Sequence, residues 1–421
     1  MTKNNSLEYY NVHTSLKNFM YIGTLDQYYY ENDDIGNLLI FLKKFQNKKI
    51  FLIDNLMCEF DYEKIPLEFD LYIIGIFGEV AHKSFLENLL NFLTNKKIII
   101  LTSQEFTLNA ENVNYKLFKL EHLHKLIPFI LRYALGNHKN KTYLENYKEI
   151  KKRKYLASCL VRRSDLARLS ILTLFLQNHN FEDIIYSYID THNFKLNIEN
   201  PCSHYGELVL HAFTGILPID KNLFFKIYRG PKISAESLIQ LFNNVPLFND
   251  LKEYFTNINY KLKYNYRDVE LNSFNKTFDF SILPYSDTKV NYIAETNILA
   301  PFVKEFLTEK SIKPILSRTP FVLISNVNSY KRLKRVGFET FENEFDSSLL
   351  DIIENTDLSS KLVVLDEIMQ RLDFDFFENN SDLLQDKVNY NFDWLFSGFL
   401  TRCEKLNQDT IEEIQEYLSE I

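Results

Sequence analysis

The sequence predicts an α/β protein with two Rossmann-like domains facing a cleft, an irregular insertion in the second domain and a helical C-terminal tail. Three observations carry that prediction. The runs KKIFLID (48–54), DLYIIGIFG (70–78) and KKIIILTS (96–103) are continuously apolar rather than alternating, as parallel strands covered on both faces are. A second series opens at KYLASCLV (154–161) and resumes at KVNYIAET (289–296) and PFVLIS (320–325), with helical stretches between. The chain has 421 residues, more than one core usually organises, and 46% of them are apolar, enough for two cores and too many for a disordered chain.

Taken in order, the stretch between the second and third runs places Phe85, Leu89, Leu90 and Leu93 on one helical face, which makes a strand–helix–strand unit of residues 70–103. The first domain is expected over 1–145. The charged stretch NYKEIKKRK (146–154) marks the boundary, and the second domain is expected over 150–400. It begins with a strand, a basic turn and a helix whose apolar face is Leu166, Leu169, Ile171, Leu172, Leu174 and Phe175. Residues 195–285 are rich in Asn and Tyr and broken by Pro201, Pro218, Pro231 and Pro246, which reads as the insertion. Thr308 suits the N-cap of a helix over LTEKSIKPILSR, Asn328 or Ser329 that of the next, and Gly337 the position just past its end. The tail is helical, with Val363, Val364, Ile368 and Leu372 on one face, and 400–421 forms a terminal helix that can return to the first domain.

Charge and cysteine content narrow the function. The balance of 48 Lys plus Arg against 56 Asp plus Glu is −8, which disfavours a general electrostatic grip on nucleic acid. The four cysteines stand far apart without metal-ligand spacing, and His122 and His124 cannot share a helical face. The acidic pairs Asp33–Asp34 and Asp373/Asp375 follow no obvious buried strand, so no metal and no bound cofactor is expected. MTKNNSLEYYNVH is not a secretory leader and no apolar run reaches membrane-spanning length, so a cytoplasmic protein without membrane partners is expected, in a bacterium or a virus-infected cell. The phosphate-loop, GxGxxG and GxSxG motifs are absent, which counts against a nucleoside triphosphatase, a dehydrogenase and an α/β-hydrolase.

The carboxyl ends of parallel strands open a crevice into which helix N-termini point, so polar residues there merit weight. Arg162, Arg163 and Arg168 follow KYLASCLV and suit a diphosphate through bidentate, permanently charged donors; pairing with Asp165 or surface carboxylates explains them equally well. Glu295 follows KVNYIA, and Thr308, Glu309 and Lys310 open the next helix. A carboxylate for two ribose hydroxyls beside a lysine for phosphate makes a nucleotide clamp, although by spacing alone a helix start with a dipole-matched Glu and a solvated Lys is the commoner origin. In the first domain, Glu79 and His82 lie in the loop FGEVAHKSF (77–85) after a strand, where either can serve as a general base; an ordinary helix start is the plainer explanation of each. Asp54 and Glu59 come next as candidates.

The stretch FLTEKSIKPILSRTPFVLISNVNSYKRLKRVGFETF (306–341) resembles the donor-binding region of two-Rossmann-domain (GT-B type) glycosyltransferases, above all the Thr-Glu-Lys motif of α1,3-fucosyltransferases. It is more similar still to phage-encoded glycosyltransferases, and KYLASCLVRRSDLARLSILTLF (154–175) resembles the opening of their C-terminal domain. The resemblance covers about 60 residues, and the chain has Val161-Arg162-Arg163 and Ala167-Arg168 where the phage proteins have Asn-Arg and His-Arg pairs. It implies a nucleotide-sugar co-substrate held by the C-terminal domain, with Arg168 or its neighbours and Lys310 on the diphosphate and Glu309 on the ribose. The N-terminal domain then takes the acceptor, a glycan or a modified DNA base; the basic-aromatic strip YKLKYNYR (260–267) is of a kind that stacks bases. The expected activity is inverting, metal-independent glycosyl transfer to a hydroxyl. The alternative is a non-catalytic nucleotide- or glycan-binding protein on a transferase fold.

Overall fold

The computed structural model of the chain describes residues 9–10, 19–22, 49–53, 62–76, 83–106, 108–110, 113–121, 123, 145–161, 168, 171–172, 174–175, 178–180, 182–188, 283–295, 303–346 and 358–419. These form a mixed α/β structure with two largely parallel sheets. The chain divides into two compact units, one of Met1–Lys125, Phe302–Glu305 and Phe399–Ile421, the other of Leu126–Pro301 and Phe306–Gly398. Among the described residues no helix is long and apolar enough to cross a membrane.

The sheet of the first unit contains β1 (Tyr9–Tyr10), β2 (Phe19–Ile22), β3 (Ile50–Ile53), β4 (Leu71–Ile76), β5 (Lys97–Thr102) and β7 (Tyr115–Lys119), side by side in that order. Only the edge pair of β1 and β2 is antiparallel. The short β6 (Glu105–Phe106) pairs instead with β11 (Val303–Lys304). Helix α1 (Lys83–Phe92) joins β4 to β5 and buries Phe85, Leu86, Leu89 and Leu90.

The parallel strands follow chain order without reversal. With right-handed crossovers, such a sheet carries its connections on one face and leaves the other open. That second face presents Ile50, Leu52, Leu71, Ile73, Ile99, Leu101 and Phe118, and the C-terminal helix, residues Phe399–Ser419, covers it with Ile411, Ile414 and Leu418. The helix is pinned further by Asn407, whose side chain accepts from the Glu121 amide at 2.6 Å and donates to the Glu121 carbonyl at 2.8 Å. The terminal helix is thus a layer of the first unit's core.

The sheet of the second unit is parallel throughout, in the order β12 (Phe321–Ile324), β10 (Thr288–Ala294), β8 (Tyr155–Val161), β9 (Ile184–Tyr188). From β8 the chain moves to β9 on one side, then returns to lay β10 on the other. The order therefore reverses between β8 and β10, and a reversal of this kind is where open α/β sheets bind ligands, beyond the strands' carboxyl ends. The helical residues among 168–178 bury Ile171, Leu172, Leu174 and Phe175, and Phe175 meets the ring of Tyr292 on β10 edge-on at 5.6 Å.

Besides the short helix Leu283–Ser286 that precedes β10, the described residues of this unit include α2 (Glu309–Leu316), α3 (Ser329–Arg335), α4 (Glu342–Phe345), α5 (Leu358–Arg371) and α6 (Phe374–Ser397), and the C-terminal helix is α7. Gly337, at φ 96°, ends α3: the Phe338 amide donates to the Leu333 carbonyl and the Gly337 amide to that of Lys334, a Schellman closure that only a residue tolerant of positive φ makes cheaply. Asn328 is the N-cap of α3 by position, yet it sits at φ 66° and its side chain makes no capping bond. In α5, Val364 and Ile368 are buried as expected, as is Leu372 just past its end, but Val363 is 60% exposed. The correction is geometric: neighbouring residues lie about 100° apart round a helix, and the core stripe here runs through Leu365 and Met369 instead.

At the amino edge of this sheet, Arg153 is buried and donates to the carbonyls of Lys148, Thr288 and Arg318 and to the Thr319 hydroxyl. It ties together the segments that lead into β8, β10 and β12. The expected insertion, 195–285, lies outside the described residues except for its last three positions, and YKLKYNYR lies wholly outside.

Candidate functional site

The switch point of the second sheet is built on Glu295, the residue that follows β10. Its carboxylate is fully buried. It accepts from the Thr308 amide at 3.1 Å, the Thr308 hydroxyl at 2.7 Å and the Ser311 hydroxyl at 2.6 Å, with the Lys310 ammonium 3.8 Å away. Thr308 is the N-cap of α2, its side chain accepting from the Lys310 amide. Negative charge at the start of a helix is favoured by the backbone dipole, and here it is supplied from the end of a neighbouring strand. From the other side Arg168, itself buried, donates through Nε to the Glu295 carbonyl at 3.2 Å. One residue therefore joins the end of β10, the start of α2 and the helix that follows β8.

This brings Arg168, Glu295, Thr308, Glu309 and Lys310 to one place. Glu295 has its oxygens committed to the cap, so its role is to position α2. Glu309 and Lys310 are half-buried at the head of a cleft that also includes Ser158 and Leu160 of β8, Tyr292, Ile293 and Ala294 of β10, Tyr285, and Lys313 one turn along α2. The volume in it that water-sized atoms can occupy is about 30 Å³, room for about one water, so it is a shallow recess at the strand ends.

The charges in the cleft influence one another. Burial alone raises the pKa of Glu309, but Lys310, Lys313, the backbone and Thr308 outweigh it and hold the carboxyl below its ordinary range. Burial pushes the Lys310 ammonium below its usual value, helped by Arg168 and Lys313 and opposed by Glu295 and Glu309.

Two of the sequence candidates for this site, Arg162 and Arg163, lie outside the described residues, as do Glu79, His82, Asp54 and Glu59 of the first unit and His122 and His124. Asp373 caps α6 by accepting from the Phe376 amide at 2.8 Å, and Asp33 and Asp34 are not described. Among the described residues no group of three or more His, Cys, Asp or Glu is placed to hold a metal ion.

Sequence reasoning missed Lys313, Ser158 and Tyr285. Lys313 had a signal, since it stands three residues after Lys310 and so shares its helical face. Ser158 is a hydroxyl within an otherwise apolar strand, where it accepts from the Asn291 amide group at 2.7 Å. Tyr285 follows the insertion and had no local signal.

Comparison with known proteins returns no matching family model, no curated relative and no similar solved structure.

Proposed function

We propose that the chain is a glycosyltransferase that uses a nucleotide-sugar donor, bound by the second unit at the switch point between β8 and β10. The observation that supports this reading is the convergence of Arg168, Glu309 and Lys310 there, from segments more than 130 residues apart in sequence. Cations beside a helix N-terminus match a diphosphate, and a carboxylate next to them matches vicinal ribose hydroxyls. The Thr-Glu-Lys resemblance supports the same assignment.

In the proposed reaction an acceptor oxygen forms a bond to the anomeric carbon of the donor sugar, while the bond from that carbon to the phosphate oxygen breaks. The hydroxyl proton passes to a general base, for which Glu79 and His82 remain the candidates, and the bond electrons leave with the nucleoside diphosphate. Arg168 and Lys310 stabilise the charge that develops on that leaving group, which removes the need for a metal at this step. The acceptor is a glycan or a modified DNA base.

Incubation of the full chain with radiolabelled nucleotide sugars tests the proposal. Release of nucleoside diphosphate, with label appearing in an acceptor or as free sugar, is the expected result. Saturable binding without any turnover contradicts it and identifies a binding protein instead.

A further inference from the structure

Phe306 opens the segment that leads into α2 and lies in no strand or helix itself. Its amide donates to Asn326 Oδ1 at 3.0 Å, and its carbonyl accepts from the Ser325 hydroxyl at 3.1 Å. The Ser329 hydroxyl stands 2.8 Å from the Ser325 oxygen and 3.3 Å from the same carbonyl. All four residues are buried. One turn, that between β12 and α3, therefore answers both backbone groups of Phe306 with side chains.

Two residues later the segment is held by another strand end, where Glu295 accepts from the amide and the hydroxyl of Thr308. The two grips are neighbours. Strands β10 and β12 pair in parallel with Ala294 beside Ile324, and the Glu295 amide continues the ladder by donating to the Ile324 carbonyl at 3.0 Å. Glu295 and the turn that begins at Ser325 thus leave the sheet side by side and hold the span from Phe306 to Thr308 at both ends. Glu309 and Lys310, which line the recess, are the next two residues.

Buried backbone groups need partners in any fold, and that need alone accounts for one such bond. It does not account for the other features of the turn. Asn328 sits at φ 66° without a capping bond, and Lys361, only 2% exposed, donates to the Ser325 carbonyl at 2.8 Å. The Asn326 Nδ2 is buried without a hydrogen-bond partner among the described residues, so the side chain acts through its oxygen. A left-handed residue and an unanswered donor both cost stability, and such costs gather where a turn is fixed for a function.

We infer that Asn326 is a positioning residue of the recess: through Phe306 it sets where α2 begins, and so where Glu309 and Lys310 stand, with Ser325 and Ser329 in support. A binding site is held in place by rigid neighbours of its contact residues, and here they come from the ends of two paired strands. The inference rests on the donor-site reading only for what Glu309 and Lys310 bind.

The experiment compares Asn326→Ala with Asn391→Ala in the full chain. Asn391 is the control, because it is buried and pairs both backbone groups of Glu339 in the same way, at 2.8 Å each. Both variants should lose stability. Amide hydrogen exchange at Thr308, Lys310 and Ser311 should be about 10- to 100-fold faster in Asn326→Ala than in Asn391→Ala. Titration with uridine-, guanosine- and thymidine-diphosphate sugars should show a loss of about tenfold in Asn326→Ala and none in Asn391→Ala. Equal exchange in the two variants overturns the inference, as does nucleotide-sugar affinity within twofold of wild type in Asn326→Ala. Should Asn326→Ala not fold, the double variant Ser325→Ala with Ser329→Ala removes the hydroxyls from the Phe306 carbonyl, and wild-type exchange at Thr308 and Lys310 in it overturns the inference equally. The donor-site reading fails separately: a wild type that binds none of these sugars loses that reading, while the exchange comparison still decides whether Asn326 positions α2.

Discussion

The Thr308 hydroxyl donates to the buried carboxylate of Glu295 at 2.7 Å, across a gap of 13 residues, and so fixes the start of α2 against the end of β10. Glu295 answers three hydroxyl and amide donors at once. Glu295→Ala should therefore leave buried donors unanswered and lower unfolding stability by about 2–3 kcal/mol, read by urea denaturation. Glu295→Gln retains one acceptor oxygen and should cost less. A stability equal to wild type in Glu295→Ala means the cap is not what holds this edge of the sheet.

Trp394 on α6 is enclosed by two glycines for two different reasons. A Cβ on Gly337 would stand 2.6 Å from the indole, and the residue also lies at φ 96°. A Cβ on Gly398 would collide with the same ring, but Gly398 has ordinary backbone at φ −130°. Gly337→Ala and Gly398→Ala should each destabilise by about 1–3 kcal/mol through overpacking. Adding Trp394→Leu should relieve the clash in both. The Gly337 pair should then keep a residual backbone penalty of about 1 kcal/mol that the Gly398 pair lacks. Double-mutant cycles by denaturation measure both, and equal residuals would argue against the difference.

His179 should give the second unit an acid sensitivity. Its ring lies against Phe175 at 4.9 Å and near Tyr292, and burial pushes its pKa down to about 4, against a smaller opposite pull from Asp183. The folded pKa lies below the ordinary value, so the unfolded chain takes up the proton first as pH falls. The stabilisation is fully present above about pH 6.5 and is lost between there and pH 4. Between pH 7.5 and pH 5 this amounts to roughly 2 kcal/mol. His179→Leu should flatten the slope of stability against pH in that window; an unchanged slope assigns the acid sensitivity elsewhere.

The first unit should depend on its last helix. Ile414 is fully buried in the cluster formed with β3, β4, β5 and β7. Ile414→Ala should cost about 2–5 kcal/mol. Asn407→Ala, which leaves both backbone groups of Glu121 without their side-chain partner, should cost about 1–3 kcal/mol. Removal of residues 399–421 should expose the apolar face and cause aggregation, detectable by light scattering. A truncated chain that stays monodisperse and folded would mean that face is covered by something else.

What could be read from the sequence, and what could not, follows from the range of each interaction. The strands at 50–53, 71–76, 97–102 and 155–161 were legible because a strand buried on both faces must be continuously apolar. The cap at Thr308 and the stop at Gly337 were legible because their chemistry is local. The reversal between β8 and β10 was not, since strand order depends on which way each crossover turns, and no residue records that choice. Nor was the task of Glu295, whose acceptor positions are filled by residues 13 to 16 positions away that only the fold brings near. Lys313 lay between these cases: its face was readable, its burial was not.

The central claim is that Lys310 and Glu309 hold a nucleotide-linked donor at the switch point, and affinity for nucleotide sugars in three proteins tests it most directly. A thermal-shift screen of wild type identifies the preferred nucleotide sugar, and titration then compares wild type with Lys310→Ala and Glu309→Gln. Lys310→Ala should weaken binding by about 1.5–3 kcal/mol, the value of a hydrogen bond to a charged group, and Glu309→Gln should weaken it through the ribose while leaving the unfolding midpoint unchanged. Binding by both variants with wild-type affinity, or no binding of any nucleotide sugar to the wild type, contradicts the claim.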